Sequence, residues 1–110
     1  MTDLIAAKYR SLLQQVSRNR FRRQDIFDLF LLLEKFNDFD EVEIGKIHTS
    51  PLLKSKARGI NATKESIDDP ELKQRAKHGY ETLSSEIEGA LPDFDKSFDA
   101  VSKFYRSLPW

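Results

Sequence analysis

The sequence predicts an all-α protein, a compact bundle of four to five helices that forms a single helical domain over residues 1–110. Apolar residues recur at helical spacings of three and four along most of the chain. No segment shows the alternation of period two that a half-buried strand needs. Prolines and glycines stand at the borders of the periodic segments, where helices commonly begin and end. These three observations favour a helix bundle, in which each helix buries one apolar face.

The first two helices are predicted from their apolar patterns. The first can begin at Thr2 or Asp3, because either side chain can cap a helix. Its apolar stripe consists of Ile5, Tyr9, Leu12, Leu13 and Val16. The polar sequence SRNRF then interrupts the pattern. A second helix is predicted from about Gln24 to Phe36, and because it is apolar on nearly every side, we expect it to be the central helix.

In the middle of the chain, the sequence predicts short helices and a loop. The sequence VEIGKI at residues 42–47 fits a short third helix, although Val-x-Ile also suits a strand. Ser50 and Pro51 fit the N-cap and first residue of a further helix, which Gly59 could end. We interpret the sequence GINATKESIDD as a loop, and the path of the chain between residues 39 and 67 stays open.

Two further helices are predicted in the last third of the chain. Asp69-Pro70 begins a long one, which Gly89 ends, and Pro92-Asp93 begins the last. The apolar stripe of the long helix is Leu72, Ala76, Tyr80, Leu83 and Ile87. The apolar stripe of the last helix is Phe94, Phe98, Val101, Phe104, Tyr105 and Leu108.

The charges balance overall but are distributed unevenly. The chain has 18 basic and 18 acidic residues, so its net charge does not indicate a nucleic-acid or membrane-surface protein. Basic residues dominate residues 1–24, and acidic residues dominate residues 81–100. Either the two segments neutralise each other in the fold, or the basic segment meets an anion.

Several classes of protein and site are disfavoured. With no cysteine, the chain cannot form disulfides or thiolate metal sites. His48 and His78 stand alone, so we predict no metal site. The apolar run at residues 29–33 is far shorter than the roughly 20 residues of a membrane span. The N-terminus lacks a signal-peptide pattern, so we expect a cytoplasmic protein with no membrane contact.

Two Asp-Phe-Asp sequences, at residues 38–40 and 93–95, resemble pairs of metal ligands. Two-metal chemistry needs both carboxylates on one face, commonly after a flexible glycine-rich turn. Neither pair has such a turn before it. We therefore interpret the first pair as a turn and the second as a helix start, where acidic side chains are stabilised by the helix dipole.

Lys8 and Asp25 are the residues most suggestive of a site. Lys8 lies on the first predicted helix and Asp25 at the start of the second. Two helices joined by a short connection can bring these side chains together. A lysine there can hold a phosphate as a point charge, and an aspartate can orient it or help to hold a metal. The simpler interpretation, an N-terminal acid beside a base, is favoured by spacing alone.

The sequence AAKYRSLLQQVSRNRFRRQDIFDLFLLL resembles a pattern in the AbiEii-type abortive-infection nucleotidyltransferase toxins of type IV toxin–antitoxin systems. The family pattern is an Ala-x-x-Lys helix, a short arginine-bearing turn, and Arg-x-x-Asp followed by two apolar residues and Asp-Leu at the start of a long apolar helix. Here Ala6 or Ala7 stands one or two residues before Lys8 instead of three, and the later residues match as Arg18, Arg20, Arg22, Asp25, Asp28 and Leu29. The sequences DDPELKQRAKHGYETL and LPDFDKSFDAVSKFYRSLPW resemble the C-terminal end of the same family. The resemblance covers nearly the whole chain.

The resemblance implies roles for individual residues. Lys8 matches the lysine that contacts the nucleotide, and Asp25 matches the acid beside it, so both are catalytic candidates. Arg22 and Asp28 would support them. Four more arginines are candidates for phosphate or nucleic-acid contact: Arg10, Arg18, Arg20 and Arg23. The chain lacks the Gly-Ser turn and Asp-x-Asp pair of the α/β catalytic domain, so we expect a C-terminal helical half that is inactive alone.

The resemblance also implies ligands and partners. NTP and Mg²⁺ are expected only if an α/β nucleotidyltransferase domain completes the site, and no cofactor is expected otherwise. Possible partners are that domain, an antitoxin, a second copy of the chain, and RNA bound weakly by the basic N-terminal face. The alternative function is an interaction module that uses an exposed apolar face, with Leu108-Pro109-Trp110 as a candidate contact. Packing of Trp110 onto its own core is the favoured interpretation.

Overall fold

A computed structural model describes residues 2–36, 38–50, 62–87 and 89–110, and over these ranges the protein is a helix bundle without strands. The described residues form five α-helices, in chain order α1 (Thr2–Leu13), α2 (Arg23–Lys35), α3 (Glu41–Thr49), α4 (Pro70–Lys77) and α5 (Phe94–Arg106). Two 3₁₀ helices, Lys64–Asp68 and Tyr80–Ser85, lie before and after α4. The all-α prediction is confirmed.

Helix α2 is the central helix, as its apolar sequence predicts, and it packs against α1, α4, α5 and the second 3₁₀ helix. Its first half is the most buried part and includes Ile26, Leu29 and Phe30. Burial is not complete around the helix, because Leu31 is exposed. The prediction that the apolar stripe of α1 extends to Val16 is wrong, because α1 ends at Leu13 and Val16 is exposed.

Helices α1 and α5 meet through two tyrosines. Tyr9, fully buried on α1, donates a hydrogen bond of 2.8 Å to the backbone carbonyl of Val101 on α5. The rings of Tyr9 and Tyr105 are 5.5 Å apart. Buried tyrosines usually find a partner for the hydroxyl group, and here that partner fixes α5 against α1 and so completes one side of the core.

Each Asp-Phe-Asp sequence provides a helix cap, as is predicted for residues 93–95, whereas residues 38–40 are expected to form a turn. The side chain of Asp40 accepts a hydrogen bond of 2.8 Å from the backbone N–H of Glu43, within a reciprocal capping box. The side chain of Asp93 accepts one of 3.1 Å from the backbone N–H of Lys96. Each carboxylate satisfies a backbone donor that would otherwise have no partner within the helix.

The long helix predicted from Asp69 to Ile87 is wrong in its second half. Helix α4 ends at Lys77, and Gly79 has a φ of +73°, a left-handed conformation that ends a helix. The chain then continues as the second 3₁₀ helix. The apolar stripe stays buried through Tyr80 and Leu83, because residues three apart share a face in a 3₁₀ helix. Periodicity alone therefore could not reveal the break.

We expect Gly79→Ala to lower the free energy of unfolding by about 1–2 kcal/mol, because a Cβ atom disfavours the left-handed conformation. The new Cβ would also lie 3.4 Å from Arg23 Cδ. Gly45→Ala is the matched control: it lies inside α3 with nothing within 4 Å of its Cβ position, so it should stabilise by about 0.5–1 kcal/mol. Urea unfolding measures both changes. Equal effects of the two substitutions on the free energy of unfolding would contradict the left-handed conformation of Gly79.

Two other segments differ from the sequence-based expectations. The predicted loop at residues 59–69 contains a 3₁₀ helix with a buried residue, Ile67. The helix predicted to begin at Pro51 and end at Gly59 lies outside the described residues. VEIGKI at residues 42–47 is helical, which decides between helix and strand.

The C-terminal residues pack onto the protein itself. Trp110 Nε1 donates a hydrogen bond of 2.8 Å to the backbone carbonyl of Tyr105, and the Trp110 ring lies 4.5 Å from the ring of His48. Leu108 is buried in the core. Leu108-Pro109-Trp110 therefore does not supply the exposed apolar contact of the interaction-module alternative. None of the described helices has the length and apolarity needed to span a membrane.

Candidate phosphate-binding site

The connection between α1 and α2 is held by a buried glutamine. Gln15 is fully buried, and its side-chain nitrogen donates to the backbone carbonyls of Leu12, at 3.0 Å, and Leu72, at 3.1 Å. Its side-chain oxygen accepts a hydrogen bond of 2.8 Å from the backbone N–H of Arg22. One side chain therefore joins the end of α1, the start of α2 and helix α4.

This connection makes α1 and α2 an antiparallel pair. Gln15 contacts Arg22, and seven residues earlier on α1, Lys8 contacts Asp28 on α2. Contacting residue numbers therefore have a nearly constant sum, as in two helices that run in opposite directions. The arrangement brings Lys8 beside the first turns of α2, so the proximity of Lys8 and Asp25 predicted from the sequence is confirmed.

Four charged side chains meet between the two helices. Lys8 Nζ lies 2.8 Å from Asp28 Oδ2 and 3.5 Å from Asp25 Oδ1. Arg22 Nε lies 2.8 Å from Asp25 Oδ2, and a second Arg22 nitrogen lies 3.3 Å from Asp25 Oδ1. Asp25 is only 1% exposed. Its carboxylate therefore pairs with two cations. A buried charge is tolerated in a protein only when it is paired in this way.

The electrostatics keep both cations protonated. Partial burial lowers the pKa of Lys8, but the hydrogen bond to Asp28 and the charges of Asp28 and Asp25 outweigh burial and raise the pKa above its ordinary value. The hydrogen bond that Arg22 donates to Asp25 raises the pKa of Arg22, against the opposing effect of burial. A lysine with a raised pKa cannot serve as a general base near neutral pH. Lys8 therefore acts as a fixed positive charge.

A pocket of about 150 Å³ opens beside this cluster, lined by Lys8, Phe21, Arg22, Arg23, Gln24 and Asp25. Its volume is well below the roughly 300–1,000 Å³ of typical small-molecule sites. Three of the lining residues are cationic and one is anionic, so the lining carries a net positive charge. An ammonium group has three donors, and Lys8, which is 25% exposed, retains the capacity to contact a bound oxygen.

The other predicted arginines occupy different positions. Arg18 and Arg20 are exposed on the connection between α1 and α2. Arg23 lines the pocket, and its terminal nitrogen lies 3.9 Å from Glu86 Oε1. This weak pair is a point of contact between the basic and the acidic segments. Arg10 lies two residues after Lys8 on α1, so it projects from nearly the opposite side of the helix, away from the Lys8 cluster.

The chemistry available to the cluster is electrostatic. Lys8, Arg22 and Arg23 can bind phosphate oxygens through charge-assisted hydrogen bonds. The described residues contain no group of three or more Asp, Glu or His side chains arranged to hold a metal. Asp25 already accepts from Arg22 and faces Lys8, so it has little capacity left for a metal ion.

Sequence reasoning missed two residues that shape this region. Gln15 lies in a polar stretch, and nothing local signals its burial. Nothing in the local pattern of α4 marks Arg75. Arg75 donates to the Asn19 side chain and the Arg20 carbonyl, both at 3.2 Å. These contacts join residues more than 50 positions apart in the chain, so local patterns could not reveal them.

A family model described as nucleotidyl transferase AbiEii toxin, Type IV TA system, matches residues 1–103. This match spans all but the last seven residues of the 110-residue chain. It includes the helices that carry Lys8 and Asp25. No curated protein and no solved structure matches the chain.

Proposed function

The chain belongs to the family of AbiEii nucleotidyl transferase toxins of type IV toxin–antitoxin systems, and from this premise we propose that its helical bundle supplies the phosphate-binding part of a nucleotidyltransferase site. The resemblance read from AAKYRSLL and RRQDIFDL is confirmed at the level of the family. In this proposal Lys8 contacts a nucleotide phosphate, and Asp25 with Arg22 and Asp28 hold Lys8 in position.

The observation that carries the proposal is the position of Lys8 at the edge of the pocket. Two carboxylates fix its ammonium group within 3.5 Å, so little conformational entropy is lost when an anion binds. Arg22 and Arg23 line the same pocket. A phosphate group fits about 150 Å³, whereas a whole nucleotide does not, so sugar and base would lie outside.

We further propose that these 110 residues by themselves do not transfer nucleotides. Phosphoryl-type transfer depends on positioned cations at the leaving and attacking oxygens. The two carboxylates of the cluster fit a magnesium site poorly, because Asp25 and Asp28 are already paired with Lys8 and Arg22, whereas Mg²⁺ beside a substrate's phosphates is held by one or two available carboxylates. Binding of Mg²⁺ and chemistry would then require an α/β domain that carries metal-binding carboxylates.

Nucleotide titration tests the proposal. UTP added to the isotope-labelled protein should shift the backbone amide signals of Lys8, Arg22, Arg23 and Asp25. Lys8→Met should weaken this binding by roughly 10- to 150-fold, because one hydrogen bond to a charged group contributes roughly 1.5–3 kcal/mol. Lys46→Met removes the same charge from an exposed position on α3 and should leave the affinity unchanged.

Two outcomes would count against this assignment. Absent shifts at 10 mM UTP, on the order of the weakest relevant affinities, would remove the phosphate site. Equal weakening by Lys8→Met and Lys46→Met would show unspecific charge attraction. A separate assay with labelled UTP and RNA should show no nucleotide transfer by the chain alone, and transfer would contradict the proposed inactivity.

A protein partner is the second candidate role, and the family implies an antitoxin. Leu4 precedes Lys8 by one turn on α1, and Leu31 follows Asp28 by one turn on α2. Both are exposed, and the antiparallel register places them at the same end of the helix pair. They could dock an antitoxin, an α/β domain or a second copy of the chain. The mass of the purified chain in solution separates self-association from the other two.

A further inference from the structure

A pair of exposed rings lies at the outer edge of the pocket. Phe21, in the connection between α1 and α2, is 51% exposed. Its ring centroid lies 4.7 Å from the ring of His78, which is also exposed, at the end of α4. Phe21 also lines the pocket that contains Lys8 and Arg22. An aromatic platform therefore adjoins the proposed phosphate position.

Arg75 holds this platform in place. Its guanidinium carbon lies 5.0 Å from the centroid of the Phe21 ring. The same guanidinium is held by Glu71 on α4 at 3.2 Å, and by Asn19 and the Arg20 carbonyl at 3.2 Å each. These contacts hold the guanidinium group in place beside the exposed ring. A ring that is ordered but half in water loses little entropy when it stacks on a ligand.

Two exposed arginines lie close to Phe21 in the sequence. Arg18 and Arg20 are exposed. Within the described ranges, neither side chain forms an ion pair with an acidic residue. They lie one and three residues before Phe21, beyond the pocket itself. A single nucleotide with its phosphates in the pocket would not need them, whereas a strand with several phosphates would.

We propose that Phe21 and His78 form a base-stacking subsite for a single-stranded nucleic acid, with Arg18 and Arg20 contacting its backbone. Stacking on aromatic side chains needs bases that are free of a duplex. The electrostatic contribution comes from the local arginines, so it does not require an excess of basic residues in the whole chain. This goes beyond the proposed function, since a strand can bind at Phe21 whether or not Lys8 binds a nucleotide.

The test is fluorescence anisotropy with a labelled ten-nucleotide oligouridylate at low salt. Phe21→Ala should weaken binding about tenfold, because stacking one base on an aromatic ring contributes roughly 1–3 kcal/mol. Val42→Ala is the matched control, since Val42 is 64% exposed on α3, and it should leave the affinity unchanged. Phe21→Trp should bind at least as tightly as the unaltered chain. Arg18→Gln and Arg20→Gln should each reduce the slope of log affinity against log salt by about 0.7.

Any of three results would overturn the stacking subsite. They are a lack of binding of the oligouridylate, equal affinities of Phe21→Ala and the unaltered chain, and a loss of affinity in Phe21→Trp. Circular dichroism of every variant checks that it folds, and Phe21→Trp keeps the test informative if Phe21→Ala does not. Loss of UTP binding at Lys8 with oligouridylate binding intact would contradict only the proposed function. The reverse result would contradict only the stacking subsite.

Discussion

Asp25→Ala is expected to lower the free energy of unfolding by about 2–3 kcal/mol. Removing one partner from a buried ion pair costs roughly 3–5 kcal/mol when the remaining charge stays buried. Here the remaining charges are Lys8 and Arg22, which are partly exposed and can turn toward water, so we expect a smaller effect. Urea unfolding of the variant against the unaltered chain measures it.

Asp28→Ala is the matched control for this prediction. It removes the same type of charge from the same helix and from the nearer partner of Lys8, at 2.8 Å rather than 3.5 Å. Asp28 is 27% exposed, however, and pairs of partly exposed groups contribute roughly 0–1 kcal/mol. If distance to Lys8 governed the stability, Asp28→Ala would lower the free energy of unfolding more. If burial governs it, Asp25→Ala lowers the free energy of unfolding more. A larger loss for Asp28→Ala would show that burial does not govern this cluster.

The Asp25 result also bears on function. If Asp25 holds Lys8 and Arg22 in position, then Asp25→Asn should keep the shape of the side chain while it weakens the grip on both cations. UTP binding should then fall although Lys8 is still present. Unchanged UTP affinity together with reduced stability would restrict Asp25 to a structural role.

Gln15→Leu is expected to cost about 2–4 kcal/mol, although it replaces a polar residue in the core with an apolar one of similar size. The substitution removes the partner of the Arg22 backbone N–H and one partner of the Leu72 carbonyl. A buried group left without a hydrogen bond costs roughly 1–3 kcal/mol. Because Gln15 joins three segments, the start of α2 should also lose its fixed position.

Gln74→Leu provides the comparison for Gln15→Leu. Gln74 is exposed on α4, so the same substitution there leaves no buried group without a hydrogen bond, whereas Gln15 forms the link to Leu72 and Arg22. We expect the larger loss of stability, measured by urea unfolding, at Gln15. Amide signals of Arg22 and Asp25 should move in Gln15→Leu. Equal losses for the two substitutions would argue against Gln15 as the link between α1, α2 and α4.

Much of the fold followed from local patterns. The stripes of α1 and α5 predicted most of the residues by which these helices face the core, because a helix returns to the same face every three to four residues. Asp93 could be recognised at a helix start, since a cap bonds to its own helix. The end of α4 could not be predicted from the apolar pattern. Tyr80 and Leu83 are buried in the 3₁₀ helix that follows α4, and they would share a face in an α-helix as well.

Parts of the candidate site also followed from local sequence. The proximity of Lys8 and Asp25 followed from two helices with a short connection, and the family followed from the residues around them. The separation of Arg10 from that cluster follows from helix geometry, which places residues two apart on nearly opposite sides. The nucleotide contact of Lys8, the role of Asp25 and the partners remain proposals that the titrations above can test.

The sequence by itself determined the helical class, the main helix starts and the family of this protein, because these depend on residues close together in the chain. Only the tertiary structure decided that Gln15 is buried, since its partner Leu72 lies 57 residues away. It likewise decided that Phe21 remains half exposed, held by Arg75 and beside His78. A polar residue is stable in a core only when distant groups satisfy its hydrogen bonds. That condition is set by the packing of helices and is invisible in local sequence.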